Sequence, residues 1–337
     1  MIEIPGDYLE GGGQILRTAL ALSALTGKPI HIYNIRAKRL KPGLKAQHFH
    51  TFRAVAEITD AEYKGLEIGS REIEFIPKTL KSKFLSLDIG TAGSIGLLLQ
   101  SLILPACFCP AGLDLKVKGG TCGKGQIPIE YYQIVLIPLL RRLGVEIELN
   151  LLKRGYYPKG GGEVEVKISR VKKLFPLTLI KQGRITRIRG ISHASQSLQK
   201  QSVAERQAEK AREILKRRFN LDIDIEIEYS EALSPGSGIV LGVETDTHAL
   251  FGADALGERG KPAEKVGEEV AKKLIKEIES GAAVDRHLAD NLIPWLAFCG
   301  GEIKVSEMTL HTQTNIWVTE LFLGKTFEVE DRIIKKI

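Results

Sequence analysis

A chain of 337 residues with 43% hydrophobic and 26% charged side chains has the makeup of a globular protein, and its length predicts more than one domain. No stretch reads as a basic-then-apolar leader and no apolar run has the length of a membrane span, so the expectation is a cytoplasmic protein with no membrane partner. Forty-eight basic against 41 acidic residues leave a net charge of +7, which suits a polyanionic partner such as nucleic acid without requiring one. Two methionines beside abundant Ile, Lys and Glu give the composition a thermophilic cast. The four cysteines (Cys107, Cys109, Cys122, Cys299) lack paired C-x-x-C spacing, so a zinc site is not expected. Buried thiols are the first reading and a disulfide, in a heat-adapted protein, the second.

The first informative segment runs from Glu10 through Gly11, Gly12 and Gly13 to Arg17, just before the apolar run Ile15 to Leu25. Glycines at the start of a helix allow a tight turn and close approach to free N–H groups, so this is either an anion site or a plain strand-to-helix turn. Helix 14–25 then turns at Gly27 into the alternating strand 30–33. Next, Arg36, Lys38, Arg39, Lys41 and Lys45 put five cations into ten positions, followed by Gln47 and His48. Such a run reads either as a phosphate cradle or as a basic surface loop.

Gly90-Thr91-Ala92-Gly93-Ser94 repeats the design of small residues before a helix (93–104), and that helix carries Gln100 among leucines. Gln100 is either a satisfied core amide or a ligand contact. Strand 113–117 leads to Gly119-Gly120-Thr121-Cys122-Gly123-Lys124-Gly125, which lacks the glycine spacing and the Ser or Thr of a P-loop. Helix 129–142 and strand 145–149 follow, then a second triple glycine at 160–162, read as a turn.

Residues 184–280 differ from the rest. They open on a strand with alternating Arg184, Arg187 and Arg189, and continue with a charged helix from Val203, an alternating strand 222–229, an apolar strand 238–245 and an amphipathic helix after Pro262. This block is read as an inserted smaller α/β domain (184–280) in a large domain (1–183 plus 281–337) of about three repeated α/β units, each a sheet with paired helices. The last stretch has helix 288–298 headed by Asp285 to Asn291, strand 302–305, helix 313–322 and strand 326–329. In Thr309-Leu310-His311-Thr312-Gln313-Thr314-Asn315, His311 is either a hydrogen-bonded helix-start residue or a phosphoryl-accepting nucleophile.

Taken together and in order, the segments at 10–17, 36–48, 90–100, 119–121, 156–164, 287–291 and 310–315 resemble the RNA 3′-terminal phosphate cyclase family over nearly the whole chain. The resemblance implies a large domain of three repeated α/β units with a smaller α/β insertion. It implies ATP-dependent conversion of an RNA 3′-phosphate to a 2′,3′-cyclic phosphate through a histidine-AMP and an RNA-(3′)pp(5′)A intermediate. By position, His311 matches the nucleophile and Glu10 the metal ligand for Mg²⁺ or Mn²⁺. Arg17, Arg36, Arg39, Gln47 and His48 match residues around the phosphates and the RNA end. Gln100, Pro128, His287, Leu288, Ala289, Asp290 and Asn291 match the ATP site, with Pro128 and His287 on either side of adenine.

His287 departs from the Tyr of bacterial members and Asn291 from the more common Gln, which touches adenine recognition and not the reaction. The implied partners are ATP and an RNA 3′-phosphate end, with a homo-oligomer open. Two rival classes remain: a non-catalytic cyclase-like protein of ribosome assembly, and an enolpyruvyl transferase of similar fold. Neither needs a histidine at 311.

Overall fold

The computed structural model describes residues 1–337. Its order begins with β1 (Ile2–Pro5), α1 (Gln14–Thr26), β2 (Ile30–Tyr33), α2 (Ala46–Thr59), β3 (Glu62–Lys64) and β4 (Ile73–Ile76), whose strands lie side by side as β1-β2-β4-β3. A second unit follows with β5 (Phe84–Asp88), α3 (Ile95–Ala106), β6 (Leu113–Gly119), α4 (Ile129–Tyr131), α5 (Ile137–Arg142), β7 (Ile147–Lys153) and β8 (Gly162–Ile168), in the order β5-β6-β8-β7. A π-helical turn at Tyr132–Leu136 joins α4 to α5.

The third unit starts at β9 (Leu177–Leu179) and is then interrupted. β10 (Ile185–Ser195), α6 (Val203–Phe219), β11 (Ile223–Ser230), β12 (Ser237–Thr245), β13 (Leu250–Leu256) and α7 (Ala263–Glu279) build a separate sheet, β11-β10-β12-β13, against which α6 and α7 pack. The third unit resumes with α8 (Arg286–Cys299), β14 (Gly301–Lys304), α9 (Leu310–Leu323), β15 (Phe327–Glu330) and β16 (Ile333–Lys336), ordered β9-β14-β16-β15.

All three units share one strand plan. The first pair is parallel (β1–β2, β5–β6, β9–β14) and the other two pairs are antiparallel. A parallel pair needs a crossover, and the first helix of each unit (α1, α3, α8) occupies it. In the third unit the insertion lies within that crossover, before α8. The three crossover helices and α9 pack together: α1 meets α3 and α9, and α8 meets α9. The apolar runs that predicted these helices form the shared core.

Local chemistry sets the element boundaries. Ser94 Oγ accepts the Leu97 N–H and starts α3 at Ile95, slightly later than the sequence pattern implies. Asp285 caps α8 through the N–H groups of His287 and Leu288 (both 2.8 Å), starting it at Arg286. Val145 donates to the Leu140 carbonyl (3.1 Å) and so stays in the turn, leaving β7 to begin at Ile147. The four cysteines are free thiols, and Cys107, Cys109 and Cys122 are buried.

The arginines at the start of the insertion, one just before β10 and two on it, each have a carboxylate partner at 3.0 Å: Arg184 with Asp246, Arg187 with Asp224 and Arg189 with Glu244. Ion pairs on the insertion thus occupy the basic stripe.

A buried charge cluster joins the insertion to the second unit. Arg154, 1% exposed, donates Nη1 to Glu130 of α4, and its Nε and Nη2 to the two carboxylate oxygens of Glu228 of β11 (2.7 Å each). Nearby, the Tyr131 hydroxyl (2.5 Å) and the Gly252 N–H (2.8 Å) donate to Asp285 Oδ2, tying α4, β13 and α8 together. Removing the guanidinium would leave Glu130 buried without its cation. Arg154→Ala is therefore expected to lose about 3–5 kcal/mol of stability in chemical denaturation. A loss under about 1 kcal/mol, the scale of exposed ion pairs, would contradict that role.

Candidate active site

The triple glycine is a turn that makes room for three side chains. Gly11 has a φ of +62°, which favours glycine. A Cβ on Gly12 would stand 2.2 Å from Glu10 Oε2, because the Glu10 carboxylate folds back over the turn. A Cβ on Gly13 would stand 2.2 Å from His48 Nε2 and 3.0 Å from Arg17 Nη1. The glycines thus form a turn against which the Glu10, His48 and Arg17 side chains pack closely.

Glu10 is nearly enclosed. Its Oε1 contacts the Arg39 guanidinium and lies 4.0 Å from His311 Nε2, while its buried Oε2 has no partner. His48 accepts the Lys45 N–H through Nδ1 (3.1 Å). Burial first, then the charges of Arg17, Arg36 and Lys45, push its pKa down to about 3, so the ring is neutral and carries its proton on Nε2, facing Gly13. Gln47 Oε1 accepts the Ser94 N–H (3.2 Å), binding the start of α2 to the small-residue loop of the second unit. Arg36, in the left-handed region at φ +55°, donates Nη1 to the carbonyls of Lys41 (2.8 Å) and Gly43 (2.7 Å) and closes the basic loop on itself. Arg39 is the loop cation that reaches Glu10.

Side chains from the three crossover helices meet in one chain of hydrogen bonds. Arg17 of α1 donates Nε to Gln100 Oε1 of α3 (2.8 Å), and Gln100 donates Nε2 to Asn291 Oδ1 of α8 (3.1 Å). Arg17 also donates Nη2 to Gln14 Oε1 (2.6 Å), and Gln14 donates to Asn315 of α9 (3.0 Å). Asn315 in turn donates to the Asp290 carbonyl (2.6 Å). Gln100 is thus a satisfied amide that also borders the cleft. Burial lowers the Arg17 pKa to about 10, and raises that of Asp290 to about 7 against the opposing charges of His287 and Arg17.

A cleft opens where these helix starts converge. Arg17, Gln100, Pro128, His287, Asp290, Asn291 and His311 line it. Leu288 and Ala289, both 0% exposed, face the core beneath. Arg36, Arg39, Gln47 and His48 are not among its lining residues, and Arg39 connects to it through Glu10, 4.0 Å from His311. His311 lies in the first turn of α9, but Thr309 does the capping: its Oγ accepts the Thr312 N–H at 3.1 Å. The imidazole, 47% exposed, stays available. Partial burial first, then Arg17, Arg39 and His287, hold its pKa near 4. At neutral pH His311 therefore presents an uncharged ring with a free lone pair.

Sequence reasoning passed over Gln14 and Asn315, although both lie inside the segments it singled out. It also missed Gln126, Tyr131, Asp254, Arg286 and Thr309, which line the same cleft. Asp254 gives no sequence signal beyond a lone acid in the strand Leu250–Leu256.

No group of three or more His, Cys, Asp or Glu residues is arranged to hold a metal. The orphaned Glu10 Oε2 suits a hard cation that takes one carboxylate and completes its shell with water and phosphate oxygens, the habit of Mg²⁺.

Three α/β units of one topology, a fourth sheet inserted in the third, and a polar cleft at the helix starts describe the class. The family model for RNA 3′-terminal phosphate cyclase matches residues 8–329, and the chain belongs to this enzyme family, as its motifs led one to expect. Relatives named RNA 3′-terminal phosphate cyclase include that of Thermococcus kodakarensis, 48% identical over 334 residues, covering 99% of this chain and 96% of the relative. The protein of that name from Pyrococcus abyssi is 47% identical over 335 residues, 99% of this chain and 97% of its own length. That of Methanopyrus kandleri is 48% identical over 339 residues, 98% and 96% of the two chains.

The glycine turn gives a direct test. Gly13→Ala forces His48 or Arg17 to move, an overpacking cost of about 1–3 kcal/mol, and displaces groups around Glu10. The expected outcome is a stability loss in that range with activity reduced at least about tenfold. Activity equal to the wild type would show that the close approach is dispensable.

Proposed function

We propose that this protein is an ATP-dependent RNA 3′-phosphate cyclase acting through a histidine-bound AMP, with His311 as nucleophile. The observation that carries this reading is the state of His311: left free by the Thr309 cap, half-exposed, neutral, on the cleft wall and 4.0 Å from Glu10. An imidazole lone pair attacks the α-phosphorus of ATP, an N–P bond forms, and the bond to pyrophosphate breaks. An oxygen of the RNA 3′-phosphate then displaces the imidazole, giving RNA-(3′)pp(5′)A and returning His311 to its neutral form. The adjacent 2′-hydroxyl attacks the 3′-phosphorus, loses its proton and expels AMP, leaving the 2′,3′-cyclic phosphate. AMP is a far better leaving group than the oxide of a phosphate monoester, which is the chemical reason for activation.

The remaining residues take roles consistent with their places. Arg17, buried and held by amides, offers a fixed positive charge to a phosphate, and the free N–H groups at the start of α9 favour the same anion. Arg39, on the open side of Glu10, suits the RNA phosphate, with His48 and Gln47 behind it. Arg36 acts by holding the basic loop. Pro128 and His287 line the same cleft, where the base would lie between them; Gln100, Asp290 and Asn291 would border the nucleotide, while Leu288 and Ala289 support their helix. A divalent ion, Mg²⁺ or Mn²⁺, held by Glu10 and phosphate oxygens, would neutralise charge on the departing pyrophosphate.

In this reading residues 1–183 and 281–337 form the catalytic domain and 184–280 the insertion. The non-catalytic alternative leaves the neutral His311 and the unpartnered Glu10 oxygen without a purpose. An enolpyruvyl transferase does the same.

Incubation with α-labelled ATP and Mg²⁺ is expected to leave acid-labile, alkali-stable label on the wild-type protein and none on His311→Ala. A 3′-phosphorylated oligoribonucleotide should discharge it, and a 3′-hydroxyl oligoribonucleotide should not. Label that persists in His311→Ala would remove the assignment.

A further inference from the structure

Two segments of the chain are strongly basic, and ion pairs neutralise one of them. Arg184, Arg187 and Arg189 at the start of the insertion each meet a carboxylate. The loop 36–45 differs. Of its five cations only Arg39 pairs with a carboxylate, that of Glu10, while Arg36 is turned onto backbone carbonyls. Lys38, Lys41 and Lys45 are exposed and make no ion pair. Partial burial first, then the charges of Arg36, Lys41 and Arg39, lower the Lys45 pKa. A cationic surface left unanswered within the protein suits an anion from outside.

The same loop borders an aromatic surface. A Cβ on Gly11 would stand 3.0 Å from Lys38 Cδ, so the Lys38 stem crosses the glycine turn, and its Nζ donates to the Leu9 carbonyl (3.3 Å). Beside Leu9, the exposed Tyr8 ring lies against Trp317 of α9, with ring centroids 4.2 Å apart and the planes 33° apart. Leu310 and Gln313, both exposed, share the Trp317 face of α9 through their spacing of three and four residues. Along the helix axis Trp317 is about 9 Å from His311. Apolar rings edged by unpaired lysines match a single nucleic-acid strand, whose bases stack on the rings while its phosphates meet the cations. In a duplex the base faces are already covered.

We propose that Tyr8, backed by Trp317, and the unpaired lysines of the 36–45 loop form a track for the single-stranded RNA upstream of the reacting 3′ end. One base stacks on Tyr8, and phosphates lie against Lys38 and Lys41. The proposal rests on the reading above that the RNA 3′-phosphate arrives on the Arg39 side of Glu10. The track adds affinity for RNA that continues beyond its last nucleotide, and it is indifferent to sequence because every base has a stacking face.

The test measures binding of a dye-labelled, 3′-phosphorylated octaribonucleotide by fluorescence anisotropy. Beside it, discharge of the AMP label is followed with the same oligonucleotide and with a nucleoside 3′-phosphate, which is too short to reach the track. Tyr8→Ala is expected to weaken octaribonucleotide binding about tenfold, the scale of one lost stack, and to raise the concentration needed for discharge alike. Tyr8→Phe, which keeps the ring, should match the wild type. Lys41→Gln should lower the slope of log affinity against log salt by about 0.7, one phosphate contact of a single strand. In all three variants, labelling by ATP and discharge by the nucleoside 3′-phosphate should stay at the wild-type level.

An equal loss for the octaribonucleotide and the nucleoside 3′-phosphate would mark Tyr8 as a support of the glycine turn and overturn the proposal. So would unchanged octaribonucleotide binding in Tyr8→Ala, or a polyphosphate of matching charge that competes as strongly as the RNA. A wild type that takes no AMP label removes the histidine-AMP reading, and anisotropy of the variants still decides this inference. A normal label with unmoved octaribonucleotide binding removes this inference alone.

Discussion

The buried guanidinium of Arg17 is the constraint on which the rest of the site depends. It is 6% exposed and has no carboxylate partner; amide oxygens of Gln14 and Gln100 hold it instead. A cation so placed loses water and makes no close ion pair, although the Asp290 carboxylate favours its charge, and an anion brought beside it would relieve the burial. Because Gln100 also binds Asn291, and Gln14 binds Asn315, the same hydrogen bonds link α1, α3, α8 and α9. The buried cation therefore keeps these partners only when all three repeated units are packed.

The opening glycines belong to this arrangement and do not form a self-contained phosphate loop. They let Glu10 fold over the turn and let His48 and Arg17 approach the backbone. What they contribute is space, while the proposed nucleophile, His311, stands on another unit at the head of α9. A helix start suits the nucleophile proposed to meet an anionic phosphate, and Thr309 caps α9 so that the His311 ring is left free.

Much of this was legible in the sequence, for reasons that differ by element. The repeated helix-to-strand pattern was visible because the crossover helices are apolar runs, two of them ended by Gly27 and Gly300. α2 was not, because Arg36 to His50 is so polar that the helix start reads as loop; its core face shows only in Phe52, Val55 and Ile58. Arg17, Gln100, Asp290, Asn291 and His311 were found by their family motifs and do meet at one cleft. The choice of Arg39 over Arg36 as the cation facing Glu10 was invisible, since it depends on a left-handed residue that turns Arg36 onto its own loop. Asp254 was invisible for a different reason. Its place at the cleft comes from the docking of the insertion on the second unit, through Arg154, Glu130 and Glu228, which no local pattern encodes.

The central claim is that the groups gathered here from three units serve one nitrogen atom. Its most direct test is to digest the protein after reaction with ATP and Mg²⁺ and sequence the modified peptide by mass spectrometry under alkaline conditions. The account predicts one AMP per chain, joined to an imidazole nitrogen of His311. AMP on His48, on His287 or on a lysine, with His311 unmodified, would contradict it.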